Sequence, residues 1–555
     1  MGNLAIIFSI LLLAIYCVAC NALDQAFLEC LREKAAGNGK ILEDVYAPNS
    51  QRYLSLVELS QKNPRWLNST SQLPLLIVTP QEEIEIGNVI VCSKNVGLEI
   101  RVKSGGHDYE GLSFRTQNGN PFVMIDLRNL NATEINLEEE SVWIQTGVML
   151  GQLYYEIAQR SNVHAFPGGL YPGVGSGGHI SGGGFGTLLR KYGLAADNVL
   201  DARIVDVNGR ILDRKAMGED LFWALRGGGG ASFGVILAWK LQLVRVPEQI
   251  TVFSFRRRLE PRNFYLLQRW QNIAHQYNND IFLRVLIQNL GTNAPGDEKV
   301  VQMTFNGQFL GTPDELVPLL NESFPEFGFE AKDCFKEPVE KNNTNCPDKP
   351  CIKKECFQVS WIRSVFYFSG RNMTGPLEIM LDPKGRRVQY SKGKSDYVKT
   401  PIPEKGWEIV QKFFLKEQLP MMILDPYGGR VSEIAEDESP FPHRKGNLFN
   451  IQYLNYWLDN SESEANGKLR WINNLYTQME PFVANSPRTS YINYKDLDLG
   501  TNDKDYSYSN AKVWGEKYFK GNFERLARVK GKVDPGNFFK NEQSIPVLLY
   551  GHKNA

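Results

Sequence analysis

The chain carries no surplus of charge: 62 lysines and arginines meet 62 aspartates and glutamates. No basic block stands apart, which excludes nucleic acid as a partner, because binding it requires a basic footprint. Long apolar runs are missing after the first 22 residues, so the body of the chain offers no membrane span. An N-myristoylation signal is absent, since Ile6 stands where Ser or Thr is needed after the initial Met-Gly. No internal repeat of fixed period occurs. The cysteines in "CPDKPCIKKEC" lack CxxC spacing and a nearby histidine, which argues against zinc, and no metal is expected.

What is present describes a secreted globular protein. Residues 1–22, "MGNLAIIFSILLLAIYCVACNA", form a short apolar run ending in small residues, the pattern of a cleaved signal peptide. This places the mature protein in the secretory pathway, bound for the apoplast or a vacuole. Loss of Cys17 and Cys20 leaves Cys30, Cys92, Cys334, Cys346, Cys351 and Cys356. In an oxidising compartment disulfides are the default for such an even set, with the pairing of the last four open. Asn68, Asn131, Asn321, Asn342 and Asn372 each head an N-x-S/T sequon. At 555 residues, with 42% hydrophobic and 22% charged residues, the chain predicts two large lobes.

Residues 75–245 read as alternating strands and helices. "LLIVTP", "LEIRVKSG", "FVMIDL" and "SVWIQTG" are strand-like, "MLGQLYYEIAQRS" has helical spacing, and "DARIVDVNGRILD" is a hairpin turning at Asn208-Gly209. From about 250 to 488, strand-like runs such as "KVVQMTFNGQFL" and "NLFNIQYLNYWL" alternate with helices such as "RNFYLLQRWQNIAHQYN". This predicts an α+β lobe with an antiparallel sheet. The tail predicts an extended "TSYINYKDLDLG", a helix "NAKVWGEKYFKGNFERLARVKGKV" and the turn-rich "DPGNFFKNEQSIP".

Glycine concentrates in three places, "KSGGHDYEG" (103–111), "GVGSGGHISGGGFG" (173–186) and "RGGGGASFG" (226–234). Gly173, Gly175 and Gly178 formally match G-x-G-x-x-G. Yet "FPGGLYP" forbids the preceding strand, and "ISGGGFG" predicts no prompt helix, so a Rossmann turn is a poor fit. Bare backbone still lets N–H groups converge on an anion such as pyrophosphate.

With "LRKYGLAADNV", "GEDLFWALRGGGG", "NYKDLDLG" and "DPGNFFKNEQSIP", these stretches resemble the plant berberine-bridge-enzyme-like family of FAD-linked oxidases, from about residue 25 to 547. That family includes cannabinoid synthases and mulberry Diels–Alderases. The resemblance implies an α+β fold: a vanillyl-alcohol-oxidase-type (PCMH) FAD-binding domain plus an antiparallel-sheet α/β substrate domain. The FAD domain would take 23–248, the substrate domain 249–488, and a C-terminal segment, 489–547, would return to the FAD domain. Cys30 and Cys92 match the family's disulfide.

His107 matches the histidine bonded to the flavin, and His179 a histidine that contacts it. The same resemblance gives cofactor contacts to Ser104, Gly105, Gly106, Asp108, Gly175, Gly178, Gly182, Gly183, Gly184, Gly186, Val235 and Asn493. Val174 stands where the family tunes dioxygen access, and valine there goes with oxidase behaviour. Tyr171 departs from the pattern, because doubly attached family members carry cysteine at that position. A single covalent link through His107 is therefore expected.

Oxidising a phenol or alcohol requires a base and a hydride acceptor. Tyr494 matches the family's base, and Tyr109 and Tyr192 match tyrosines on the flavin's substrate face. A tyrosine needs a cation or donor beside its oxygen to act as base, and an extended "NYKD" would aim Lys495 the other way. Asn450, Gln452 and Leu454 would share one strand face toward the flavin. Some relatives have glutamate where Asn450 stands; its loss here favours a neutral phenol over an amine. Arg444 faces either the same pocket or, with His443, the lobe interface. The resulting expectation is a monomeric, secreted oxidase of a phenolic metabolite, prenylated ones included, that uses dioxygen, releases peroxide and allows oxidative cyclisation. The alternatives are a redox-silent Diels–Alderase, compatible with Tyr171, and a carbohydrate oxidase whose Tyr109, Tyr171, Tyr192 and Phe449 stack on sugar rings.

Overall fold

Three β-branched runs, Leu76–Val78, Phe122–Asp126 and Glu99–Lys103, pair in parallel, with Val45–Tyr46 antiparallel on the outer edge. Every residue of Phe122–Asp126 is buried, as a parallel strand covered on both faces must be. Helix Glu83–Val96 makes the crossover and ends on Gly97, whose φ of 77° suits a left-handed cap. The computed structural model describes residues 22–35, 39–66, 72–290, 299–336, 354–382, 389–459 and 461–549. A disulfide joins Cys30, on a helix over 22–34, to Cys92. A second, antiparallel sheet runs in the order Thr133–Asn136, Ser141–Gln145, Val235–Gln242, Val199–Val205 and Ile211–Leu212. Its last hairpin turns at Gly209, with φ 77°, as the Asn-Gly pair predicts.

The middle of the chain builds a seven-stranded antiparallel sheet. Its order is Lys354–Val359, Ile250–Arg258, Val301–Phe309, Ile281–Asn289, Pro420–Pro426, Phe449–Trp457 and Tyr390–Val398. Alternation divides each strand between two environments. Leu283, Val285, Met422, Leu424, Ile451 and Tyr453 pack under helices Phe264–Ile273, Glu404–Phe414 and Glu462–Met479. Their alternate neighbours Phe282, Arg284, Ile423, Asp425, Gln452 and Leu454 face a cavity.

The tail departs from its predicted shape twice. The long helix is broken into Tyr508–Phe519 and Asn522–Val533, because Lys520 adopts φ 47° before Gly521. The predicted extended run holds two 3₁₀ turns, Ile492–Tyr494 and Leu497–Leu499. Helix Asn522–Val533 packs on Arg214–Leu225, with the Arg525 guanidinium 3.9 Å from the Trp223 ring centroid. A short helix, Ser176–Ser181, forms across the preceding glycines and ends at Gly182, so that the rest of "ISGGGFG" is not helical.

Two polar joints fasten these parts together. Arg190, 1% exposed, donates to five backbone carbonyls, those of Tyr427, Asn278, Ile281, His275 and Tyr277, at 2.5–3.3 Å. Lys392 pairs with Glu110 and Asp496 at 2.6 Å each, and Lys394 with Asp496 and Asp498 at 2.8 and 2.7 Å. Cys334 and Cys356 form a second disulfide, while Cys346 and Cys351 lie outside the described residues. So do the signal segment through residue 21, Asn68 and Asn342; Asn131, Asn321 and Asn372 are exposed. Among the described residues no helix is long and apolar enough to cross a membrane.

Candidate active site

All three glycine stretches converge on one cavity of about 1180 Å³. Strand Glu99–Lys103 feeds directly into Ser104–Gly106, and this loop touches the second stretch backbone to backbone. A Cβ on Gly105 would lie 2.3 Å from the Gly175 nitrogen, and one on Gly175 would lie 2.2 Å from the Gly105 nitrogen. No side chain fits either position. Ser104 Oγ holds the join by donating to the Thr146 carbonyl (2.5 Å) and accepting from Gly177 N–H (3.3 Å). Gly178 is different, because a Cβ there would meet no protein atom within 4 Å. It is bare toward open space, as a wall against a bound group must be. Gly228, Gly229 and Gly230 close the same cavity from the third stretch.

Two uncharged histidines border these glycines. His107 has its pKa lowered to about 3 by burial and the nearby Lys62 and Lys103 charges. Its Nε2 is enclosed without a hydrogen-bond partner, and the residue lines the cavity. An unprotonated, unbonded imidazole nitrogen is the nucleophile that a covalent cofactor link needs. The Tyr171 ring sits edge-on to His107 at 5.3 Å between centroids. His179 accepts from Gly169 N–H through Nε2 at 2.9 Å, and burial lowers its pKa to about 4. Asn493 donates to the His179 carbonyl at 2.9 Å. A bare glycine wall, a free imidazole nitrogen and this volume fit FAD.

The same cavity is lined by a tyrosine cluster. The Tyr109 and Tyr494 rings are stacked, 3° from parallel at 5.8 Å, and Tyr491 meets Tyr494 edge-on at 4.9 Å. The Gln452 amide donates to the Tyr109 hydroxyl. Burial raises the pKa of Tyr109 and Tyr494, and for Tyr494 the Asp425 charge raises it further. Tyr494 is thus a neutral phenol, held by negative surroundings away from the phenolate form. Lys495 lines the same cavity, contrary to the extended reading, because the 3₁₀ turn Ile492–Tyr494 rotates it inward. Burial lowers its pKa to about 8, opposed by the Asp108 charge.

Ser104, Gly105, Gly106, His107, Asp108, Tyr109, Tyr171, Val174, Gly175, Gly178, His179, Gly186, Gln452, Asn493 and Tyr494 all line the cavity. The other expected residues lie elsewhere. Tyr192 donates to the Arg245 carbonyl outside the cavity. Arg444 is spent on Asp197 (2.7 Å twice) and Ser439 (2.8 Å), and His443 stacks on Tyr397 at 4.0 Å, both at the interface between segments. Asn450 shares the face of Gln452 but turns its amide to the Asp396 carbonyl, one pleat behind the cavity wall. Val235 points into the core beside Leu237, and its neighbours Gly234 and Ile236 form the wall. Gly182, Gly183 and Gly184 form a second layer, packed against Asn493, Phe441 and His179. Phe449 packs on Trp270 at 5.0 Å beneath the sheet, where alternation puts it. Asp425 and Arg284 are among the cavity residues that pattern reading missed, and Lys495 is one that it aimed the other way. In "MMILDP" the aspartate reads as a turn residue ahead of proline, not as part of a strand.

The family described as FAD binding domain matches residues 74–214, and the one described as Berberine and berberine like matches residues 490–546. Berberine bridge enzyme-like 22 of Arabidopsis thaliana is 47% identical across 97% of this chain and 98% of its own. Monolignol oxidoreductase AtBBE-like 13 of Arabidopsis thaliana is 43% identical across 95% of each chain. The solved BBE-like #28 from Arabidopsis thaliana superposes with a TM-score of 0.84 at 41% identity, covering 94% of this chain and all of that one. Wild-type Phl p 4.0202, a glucose dehydrogenase, also gives 0.84, at 39% identity over 94% of this chain and 99% of its own. An Ile-to-Val variant of Phl p 4 is described as a glucose oxidase.

Proposed function

Because this chain belongs to the berberine-bridge-enzyme-like family of FAD-linked oxidoreductases, we propose that it is a secreted oxidase of a phenolic substrate, prenylated phenols included. The observation that carries this reading is that one cavity is lined both by His107 with bare glycines and by Tyr109, Tyr494 and Gln452. FAD, when bound, supplies the hydride acceptor. Ser104 to Asp108, Val174, Gly175, Gly178, His179 and Asn493 would hold it, with His107 as the single covalent link because Tyr171 stands where doubly attached relatives carry cysteine. Tyr109 and Tyr494 receive the substrate hydroxyl, and Gln452 fixes the Tyr109 hydroxyl for that task. Val174 supports dioxygen as the final acceptor, in keeping with the Ile-to-Val oxidase of the grass pollen relative. Exposed sequons at Asn131, Asn321 and Asn372 support passage through the secretory pathway.

Anaerobic addition of a phenol such as 4-hydroxycinnamyl alcohol should bleach the flavin absorbance, and admission of air should restore it with peroxide release. Product without bleaching or peroxide would establish the Diels–Alderase alternative, and bleaching by glucose alone the carbohydrate one. Flavin fluorescence should stay on the denatured protein band, vanish in His107→Ala and persist in Tyr171→Ala. Tyr494→Phe should slow flavin reduction by about 10²–10⁴-fold, the usual loss when proton-transfer help is removed. An unchanged rate would remove Tyr494 from the reaction.

A further inference from the structure

The cavity contains a carboxylate that the family resemblance does not assign. Asp425 is 4% exposed, yet it lines the cavity because it alternates with Leu424 on strand Pro420–Pro426. No hydrogen bond from a described residue is among the influences on its carboxylate, which are burial and the Arg284 charge. Arg284 lies on the neighbouring strand, one residue beyond the Val285–Leu424 pairing. On the other side, the register partner of Asp425 is Asn450, the position at which some relatives carry glutamate. The negative charge missing from Asn450 is therefore present one strand away. A buried carboxylate without hydrogen bonds is costly to keep, which marks such groups as candidates for chemistry. Tyr494, the expected base, is held as a phenol first by burial and then by the charge of Asp425 itself.

We propose that Asp425 is the final acceptor of the substrate's hydroxyl proton, with Tyr494 as the neutral phenol that hands it on. The inference rests on the oxidase reading above. The substrate O–H bond breaks, the Tyr494 O–H is broken and remade, and a carboxyl O–H forms on Asp425. The electron pair left on the substrate oxygen becomes the new C=O or quinone-methide bond as the substrate carbon loses hydride to the FAD of the family's activity. The groups facing Asp425 that set its proton affinity are Arg284, Tyr427 and Tyr494. Burial raises its pKa to about 6, which leaves it mostly ionised at neutral pH and a better base than an ordinary carboxylate.

The test is rapid-mixing reduction of the flavin-loaded protein by 4-hydroxycinnamyl alcohol under nitrogen from pH 5 to 8. In the unmutated protein the limiting rate should rise through an inflection near pH 6. Asp425→Asn should lower that rate by about 10²–10⁴-fold and abolish the inflection, with the half-saturating concentration nearly unchanged. A normal rate with the same inflection, or a change confined to half-saturation, overturns the proposal; the latter would make Asp425 a counter-ion for substrate. Infrared difference spectra of the unmutated protein provide a second readout should the variant fail to fold. Reduction by substrate should bring up a protonated-carboxyl stretch that shifts in D₂O, and its absence also overturns the proposal. If no phenol or alcohol reduces the unmutated protein, the oxidase reading itself falls, an outcome distinct from failure of the Asp425 step alone.

Discussion

At the level of single residues, the cavity is defined by groups kept out of their ordinary charge states. His107 and His179 are neutral at all physiological pH values, and Tyr109 and Tyr494 are held protonated. Asp425 carries a measurable thermodynamic consequence. Its pKa rises from 3.8 to about 6 on folding, so the folded state prefers the protonated form. Stability is unaffected below about pH 4, falls as pH climbs through 6, and bears the whole penalty above that. Asp425→Asn should therefore stabilise the protein at pH 7, on the order of 2–3 kcal/mol, and add nothing at pH 4. Denaturant melts at both pH values check this. A loss at pH 7 would mean that the carboxylate serves chiefly to balance Arg284. Legibility at this scale was uneven for a physical reason. His107 and Tyr109 sit in a contiguous motif, whereas Arg444 and Tyr192 are polar groups satisfied by partners hundreds or tens of residues away.

Among the elements, loops and strand alternation decide what reaches the cavity. The two glycine loops touch at Gly105 and Gly175, whereas Gly178 faces open space. Gly105→Ala should thus destabilise the fold by several kcal/mol, roughly the cost of overpacking against backbone. Gly178→Ala should melt normally and instead lose flavin, which absorbance per protein measures. The Leu189–Tyr192 helix gives a second case. Arg190 satisfies five carbonyls that no shorter side chain reaches, so Arg190→Met should cost on the order of 3–5 kcal/mol in thermal or denaturant melts. Most strands were legible from β-branched runs ended by Gly or Pro. The break at Lys520 was not, because a left-handed lysine leaves no compositional mark.

Across the whole molecule, three distant segments meet at a buried ionic knot. Glu110 follows Tyr109, Asp496 and Asp498 follow Tyr494, and Lys392 and Lys394 come from the edge strand of the large sheet. Burial alone would lower the Lys392 pKa, but the surrounding carboxylates outweigh it and raise it. Lys392→Met would leave Glu110 and Asp496 short of a cation, at about 3–5 kcal/mol, and should also disturb the Tyr109–Tyr494 stack. A lower melting temperature with a slower flavin reduction is the expected result. Burial would raise the Asp498 pKa, but the Lys392 and Lys394 charges hold it at about 2, so the share of stability from its ion pairs is lost only as pH falls toward that value. Burial raises the Glu110 pKa instead, and that pair loosens first. The sequence by itself determined the family, the glycine-lined cofactor wall, His107 and the tyrosine pair, because these depend on local backbone freedom and short contiguous motifs. Tertiary structure alone decided which polar side chains face the cavity. Asp425 and Asn450 are register partners separated by 25 residues, and only the pleat and pairing of the sheet tell which of them lines the cavity.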